Sequence, residues 1–260
     1  MNSKISFRGV GKTFPLKGTE FTALDGVSLE IADQEFVTVV GPSGCGKSTL
    51  MSMAAGLQEP SSGRVLVDGE PVTGPGPDRG VIFQQYALFP WLTVRQNVEF
   101  GLKLAAVPAG ERRRRAEAAI DLVGLEDFAD ALPKTLSGGM KQRCAIARAY
   151  AVDPQVLLMD EPFGALDALT RVQLQDQLLA TWSREMRTVL FITHDVDEAV
   201  YLASRVVVMA ARPGRIHRVI DVDLPYPRTE EIRLSAEFRQ IRNTVWTSVY
   251  HQEPAASALR

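Results

Sequence analysis

Between Gly41 and Thr49 the chain reads "GPSGCGKST", which places three glycines, one lysine and three hydroxyl side chains in a single loop. The spacing fits G-x-x-x-x-G-K-[ST] with Gly41, Gly46, Lys47 and Ser48. In such a loop successive backbone N–H groups form a concavity for phosphate, and the helix that follows points its positive end at the same place. Lys47 is then the residue that reaches the β- and γ-phosphates, and the Ser48 hydroxyl is a ligand for Mg²⁺. Pro42, Ser43, Gly44, Cys45 and Thr49 complete the cradle. A bare glycine-rich turn would need neither a strand before it nor a helix after it. Here "FVTVV" precedes and "KSTLMSMAAGL" follows, the context a phosphate loop requires. The expectation is a site for a nucleoside triphosphate.

Phosphoryl transfer also needs a group to hold the metal's water shell and a group to position the attacking water. "VLLMDEP" ends an apolar strand with Asp160 and Glu161 side by side. At a strand terminus both side chains can turn into one crevice, which makes Asp160 a partner for Mg²⁺ and Glu161 a candidate general base. An acidic pair ending a strand in solvent is the plain alternative. His194, just beyond "TVLFI", is placed to contact a γ-phosphate, although a lone histidine is more often structural. Gln84, after the strand "GVIF", is either a metal and water contact or a surface amide.

"TLSGGMKQRCAIARA" resembles the signature segment of the ATP-binding cassette (ABC) ATPases, with Ser137, Gly138, Gly139 and Gln142 in the family's places. Around it, in that family's order, stand Gln84 of a Q-loop, "GALD" ending in Asp167 as a D-loop, and His194 as a switch histidine. Phe14 in "GKTF" lies where the family stacks adenine on an aromatic ring. The resemblance covers nearly the whole chain. It implies ATP and Mg²⁺ as ligands and ATP hydrolysis as the activity. It also implies a head-to-tail homodimer in which Lys47 of one subunit and Ser137 of the other clamp each ATP. The segment holding Phe89, Pro90 and Trp91 corresponds to the family's docking site for a membrane-spanning permease, although core packing would also account for such bulky residues. "GPGPDRGVIFQQYALFPWLTV", "MDEPFGALDALTR" and "MAARPGRI" are similar to the nitrate, sulfonate and taurine branch of ABC importers. That likeness implies a substrate-binding protein as an indirect partner and a peripheral place at the cytoplasmic face of the inner membrane.

The elements that must carry these residues alternate. After an N-terminal stretch of short strands ("KISFRGV", "FTALDGVSLEI") come the β-branched run, the loop and a helix, then β pieces to about residue 85. From 86 to 151 the pattern is mainly helical, as in "ERRRRAEAAIDLVGL" and "GGMKQRCAIARAYAV". "QVLLMD", "RTVLFITHD" and "SRVVVMAARPGRI" then read as strands separated by helices, the order of a parallel sheet. The tail carries Leu234, Phe238, Ile241, Val245 and Val249 at helical spacing. The fold expected is a single α/β domain, 1–260, with a RecA-like P-loop core (1–85 and 152–260), an N-terminal antiparallel β portion and an inserted helical subdomain (86–151).

With 45% apolar and 23% charged residues and a formal net charge of −2, the chain has no global basic field for nucleic acid. Arg112–Arg115 read as the solvated face of a helix. Its apolar runs fall short of the roughly 18 residues of a membrane span, so a permease would be a separate chain. Two cysteines, Cys45 and Cys144, are too few for a disulfide framework; Cys144 reads as helix packing, and Trp182 and Trp246 as core or surface cover. Soluble ABC ATPases of DNA repair would want a long heptad insertion between Lys47 and Ser137, and ribosome-associated ones would normally carry two cassettes in one chain. Neither feature is present in the sequence.

Overall fold

The computed structural model describes residues 3–16, 18–164 and 166–251. Residues 1, 2, 17, 165 and 252–260, which the expected 1–260 domain includes, lie outside the described residues; Ala165 belongs to "GALD".

Two sheets carry the chain. The first is antiparallel and built from β1 (Ser3–Leu16), β2 (Thr19–Ala32), β4 (Ser62–Val67) and β5 (Glu70–Pro71), in the order β2-β1-β4-β5. Phe7 lies opposite Leu29 on one side and Val65 on the other, so alternate residues of β1 turn the same apolar face inward. The second sheet contains β3 (Phe36–Val40), β6 (Arg79–Ile82), β7 (Val156–Asp160), β8 (Thr188–Ile192), β9 (Arg205–Ala210) and β10 (Arg215–Asp221). Its order is β10-β9-β3-β8-β7-β6, parallel throughout except for β10 on the edge.

The near-continuous apolar runs of β3, β7 and β8 follow from burial on both faces. Val37, Val39, Leu158 and Leu190 join Met51 of α1 (Lys47–Ala54) and Phe7 in one apolar cluster. Phe36, Val40, Leu157 and Phe191 join the other, with Trp182 and Tyr201 from α5 (Ala168–Glu185) and α6 (Val196–Leu202). Successive residues therefore serve opposite cores, as the period of two demands. Trp182 is 5% exposed, meets Phe36 edge-on at 5.7 Å and donates its indole N–H to the Arg187 carbonyl at 2.8 Å. Trp182→Ala should cost about 3–5 kcal/mol, read as a lowered urea midpoint at constant m-value.

Between β6 and β7 lie only helices and turns. These include α2 (Val94–Leu104), α3 (Ala109–Leu122) and α4 (Gly138–Ala151). Thr93 and Gln96 close a reciprocal capping box at the start of α2, a T-x-x-Q signal present in the sequence. The apolar residues of this stretch, among them Val98, Ile120 and Cys144, belong to the same cluster as one face of the parallel sheet. Burial pushes the Cys144 thiol up to about 12, which leaves it inert. Arg113 and Arg114 are solvated and pair with Glu117 and Glu111.

Two elements differ from the sequence reading. "SRVVVMAARPGRI" is not one strand: the chain reverses at Pro213 and Gly214, and β10 returns antiparallel with Ile216 opposite Met209. Proline has no N–H for a ladder, which favours a turn there. The tail is likewise broken. Leu234 ends a short α7 (Glu230–Leu234) and is 73% exposed, whereas Ser235 caps α8 (Ala236–Tyr250) by accepting the Phe238 N–H at 3.1 Å. Phe238 and Val245 are buried, with Ile241 and Val249 packed beside them. The stripe thus starts one turn later than the spacing implies.

Candidate active site

The phosphate loop joins β3 to α1. Gly46, at the N-cap of α1, has φ 91, and a Cβ there would come within 2.5 Å of a Leu24 methyl, so only glycine fits. No side chain caps α1 and no acidic residue occupies its first turn. The orphan amides and the positive end of the helix dipole are therefore left for an anion. Lys47 is 8% exposed, and its ammonium donates to the carbonyls of Gly41 at 2.8 Å and Pro42 at 3.3 Å. Ser43, Gly44 and Ser48 are exposed, and Thr49 is half-buried. Cys45 is buried in the loop, where desolvation pushes its thiol up, so the sequence's cysteine is a space-filling residue here.

Asp160 closes β7, and Glu161 follows with φ 43, in the left-handed region that a non-glycine residue enters at a cost. The Glu161 N–H donates to the Ile192 carbonyl at 2.9 Å, which holds the turn. Glu161 Oε2 accepts from the Gln84 amide at 3.2 Å and lies 3.1 Å from His194 Nδ1. For a carboxylate the histidine tautomer with the proton on Nδ1 makes that bond. Glu161, Gln84 and His194, drawn from three separate parts of the chain, therefore meet at one oxygen. The Ser48 hydroxyl faces the Asp160 carboxyl and favours its charged form. Burial pushes the Asp160 carboxyl up, the Ser48 hydroxyl opposes this, and the neighbouring Glu161 charge adds to it, so a cation placed here would relieve the pair.

Ser48, Gln84 and Asp160 supply a hydroxyl, an amide and a carboxylate. Among the described residues there is no cluster of three His, Cys, Asp or Glu able to cage a metal. An oxygen-only set of this kind suits Mg²⁺ held jointly by protein, water and phosphate.

The signature lies elsewhere. Ser137 caps α4, its hydroxyl accepting the Met140 N–H at 3.3 Å. Ser137, Gly138 and Gly139 line a cavity of about 290 Å³ together with Leu166, Asp167 and Thr170, and none of residues 41–49 reaches it. Asp167 caps α5 through the Thr170 amide at 3.0 Å, and that bond holds its carboxyl below the usual range. Gln142 departs from the expected nucleotide contact: its side chain is fully buried inside α4, and neither amide atom has a partner. The reason is its position, one turn into a helix whose inner face joins the core. Phe14 is half-buried on β1, opposite Phe21, with the Lys12 ammonium 5.3 Å from its ring centre.

Phe89 and Trp91 stay in ring contact, 5.8 Å between centroids, but Phe89 is half-buried and Trp91 exposed. Phe89 packs on Phe100 at 4.3 Å, and Trp91 is 72% exposed at a groove of about 630 Å³ shared with Leu92, Phe100 and Leu104. Sequence reasoning missed the residue that shapes this loop. Asn97, fully buried, accepts the Phe89 N–H at 2.8 Å and donates to the Leu92 carbonyl at 2.9 Å. It missed Arg148 too, which reaches from α4 to the carbonyls of Tyr86 and Ala87, behind Gln84. A polar residue within an otherwise apolar helix face was the available signal in both cases.

Known proteins resemble the chain along most of its length. The family model described as ABC transporter matches residues 24–164. A provisionally named ATP-binding protein of Brucella abortus (strain 2308) is 70% identical over 254 residues, covering 98% of this chain and 96% of that one. The nitrate import ATP-binding protein NrtD of Synechocystis sp. is 51% identical, with 88% of each chain covered. The aliphatic sulfonates import ATP-binding protein SsuB of Bacillus cereus (strain ATCC 10987) is 46% identical, covering 93% of this chain and 94% of that one. Among solved structures, the ATP-binding cassette MJ0796, a dimer in a post-hydrolysis state bound to ADP and Pi, has a TM-score of 0.76 and 33% identity. It covers 85% of this chain and 100% of its own. On the family match, the relatives and the shared α/β frame, the chain belongs to the ABC transporter family as an ATP-binding subunit that hydrolyses ATP.

Proposed function

We propose that this chain powers a membrane importer as a head-to-tail homodimer, with uptake of a small solute such as nitrate, a sulfonate or taurine. The observation that carries the dimer is the separation of the phosphate-facing groups. Residues 41–49, Asp160, Glu161 and His194 make one half-site, while Ser137, Gly138 and Gly139 line another cavity beside Asp167. A second copy turned head to tail would bring the two halves onto one ATP. That the MJ0796 cassette is a dimer supports a two-subunit reading.

In this reading Lys47 and the α1 amides bind the β- and γ-phosphates, and Phe14 meets the adenine. Glu161 accepts the proton of the attacking water. His194 donates from Nδ1 to Glu161, fixing the carboxylate's orientation, and Gln84 holds it from the other side. Ser48, Gln84 and Asp160 would hold Mg²⁺, which supplies charge neutralisation at the β- and γ-phosphate oxygens. Loss of the γ-phosphate removes what joins the halves, so hydrolysis shifts the population from closed to open dimer.

No described helix is long and apolar enough to cross a membrane, so the solute's path is assigned to separate permease subunits. The chain would reach them at the cytoplasmic face of the inner membrane through the Trp91 groove. The nitrate and sulfonate importers among its relatives support this class of substrate. The test is affinity capture from native membranes, comparing wild type with Trp91→Ala. Wild type should retain a polytopic membrane protein; the variant should lose about 2 kcal/mol of that binding, as an exposed anchor does, with ATP affinity unchanged. Capture of ribosomes, or equal retention of the membrane protein by both chains, would overturn the assignment.

A further inference from the structure

We propose that Arg171 is a positioning residue for ATP hydrolysis, bridging the turn before α5 to the loop that carries His194 and so setting that histidine against Glu161. The proposal rests on the reading of Glu161 and His194 as the hydrolytic pair.

The Arg171 guanidinium donates to the Leu166 carbonyl at 3.1 Å and to Asp195 Oδ2 at 3.4 Å. Its Nε is buried without a hydrogen-bond partner among the described residues, so those two oxygens orient the group. Asp195 is the residue after His194, and its other contacts are local. Its N–H donates to the Thr193 hydroxyl at 3.0 Å, and its Oδ1 caps α6 through the Glu198 N–H at 3.1 Å. One helical turn beyond Arg171, Gln175 donates to Glu198 at 2.8 Å. Arg171 and Gln175 stand at i and i+4 on α5, the spacing that places two side chains on one helix face. That face forms a two-rung polar ladder with the His194 loop and α6. Gln175 is anchored in turn, because its amide oxygen accepts from Arg233 at 2.8 Å.

Location separates this ladder from ordinary scaffolding. Arg171, Asp195 and Glu198 line the same small cavity as Glu161, Gly164 and His194. Arg171, Asp195 and Glu198 of the ladder therefore form part of the pocket's wall, with Gln175 behind them. On its other side the Leu166–Asp167 turn, which Arg171 also grips, lines the signature cavity. One guanidinium thus touches the segment facing the proposed partner subunit and the segment carrying the histidine.

The Arg171–Asp195 pair is partly exposed, with side chains 29% and 32% accessible. Such a pair contributes little to stability. A displacement of a catalytic side chain by about 1 Å, in contrast, costs up to about a hundredfold in rate. Removal of Arg171 should therefore leave folding nearly intact and reduce turnover.

The experiment compares wild type, Arg171→Met, Arg171→Lys, His194→Ala and the Arg171→Met/His194→Ala double variant as full-length chains. It reads kcat and KM for ATP, single-turnover hydrolysis for the slow variants, and Tm. Arg171→Met should lower kcat by about ten- to a hundredfold with KM and Tm little changed, and Arg171→Lys should recover much of the loss. On the His194→Ala background, Arg171→Met should cost nothing further, because both act through one histidine. Gln175→Leu, at the second rung, should show a smaller loss of the same kind. Wild-type kcat in Arg171→Met, a full additional loss on the His194→Ala background, or a loss that tracks a fallen Tm without rescue by lysine would each overturn the proposal. His194→Ala at wild-type kcat would instead overturn the histidine's own role, and the proposal with it.

Discussion

Glu161→Gln is expected to reduce ATP hydrolysis by about 10²- to 10⁴-fold while leaving ATP affinity unchanged, the signature of a lost general base. The loss corresponds to roughly 3–5 kcal/mol of transition-state stabilisation. The amide keeps the shape of the carboxylate and can still accept from His194 Nδ1, but it cannot take a proton from water. Its place next to Gln84 at 3.2 Å and His194 at 3.1 Å should survive the change. In the proposed cycle hydrolysis opens the dimer, so the variant should accumulate as an ATP-dependent dimer. Size-exclusion chromatography with light scattering, with and without Mg²⁺–ATP, reads both species. Adding Ser137→Arg should abolish the dimer, because it fills the cavity that the proposed clamp assigns to the partner's phosphate. A variant that binds ATP with wild-type turnover would remove Glu161 from the chemistry. A chain that stays monomeric with ATP, and also when bound to its permease, would refute the head-to-tail clamp.

The second large effect is on binding. Lys47→Ala should weaken ATP affinity by about 10- to 150-fold, which is the 1.5–3 kcal/mol carried by a hydrogen bond to a charged group. Two features set the size. The ammonium is nearly buried, so its attraction to phosphate is little screened by solvent. It is also held in place by the Gly41 and Pro42 carbonyls, so less of the side chain's freedom remains to be lost on binding. Arginine should not rescue it: the pocket is built for a compact ammonium, and a planar guanidinium has no room against the loop backbone. Isothermal titration with a non-hydrolysable ATP analogue, on Lys47→Ala and Lys47→Arg, checks both statements. Affinity within a factor of about two of wild type for either variant contradicts this account of the loop.

The two predictions separate along the site's own division. In the proposed mechanism Lys47 acts on a charge already present in bound ATP, so its loss should appear in affinity. Glu161, as the proposed base, acts on a proton that leaves water only during the reaction, so its loss should appear in turnover.

Much of this protein was legible in its sequence because the physics involved is local. The β-branched run "FVTVV", the glycine loop and the helix-forming stretch after it signal a phosphate cradle within some twenty residues, a pattern that local spacing alone carries. Alternating apolar runs and helical patterns likewise predict the α/β order, since periodicity is a property of neighbours. Asp160 and Glu161 could be named for the same reason: a strand that ends in two acids delivers them together. What the tertiary structure alone decided has the opposite character. The left-handed turn at Glu161, φ 43, is held by the Ile192 carbonyl of another strand, and no pattern in "MDEP" reports it. Gln142 looks like a contact in the motif, but its helical phase buries it. "SRVVVMAARPGRI" reads as one strand until a sheet edge receives its second half. Arg171 looks like one more surface arginine after "LDALT" and becomes the link between Leu166 and Asp195 only when α5 packs on α6. Residue types and short spacings fix which chemistry is available. The meeting of side chains far apart in sequence depends on packing, because burial energy acts on the whole core and carries no trace in any single stretch of chain.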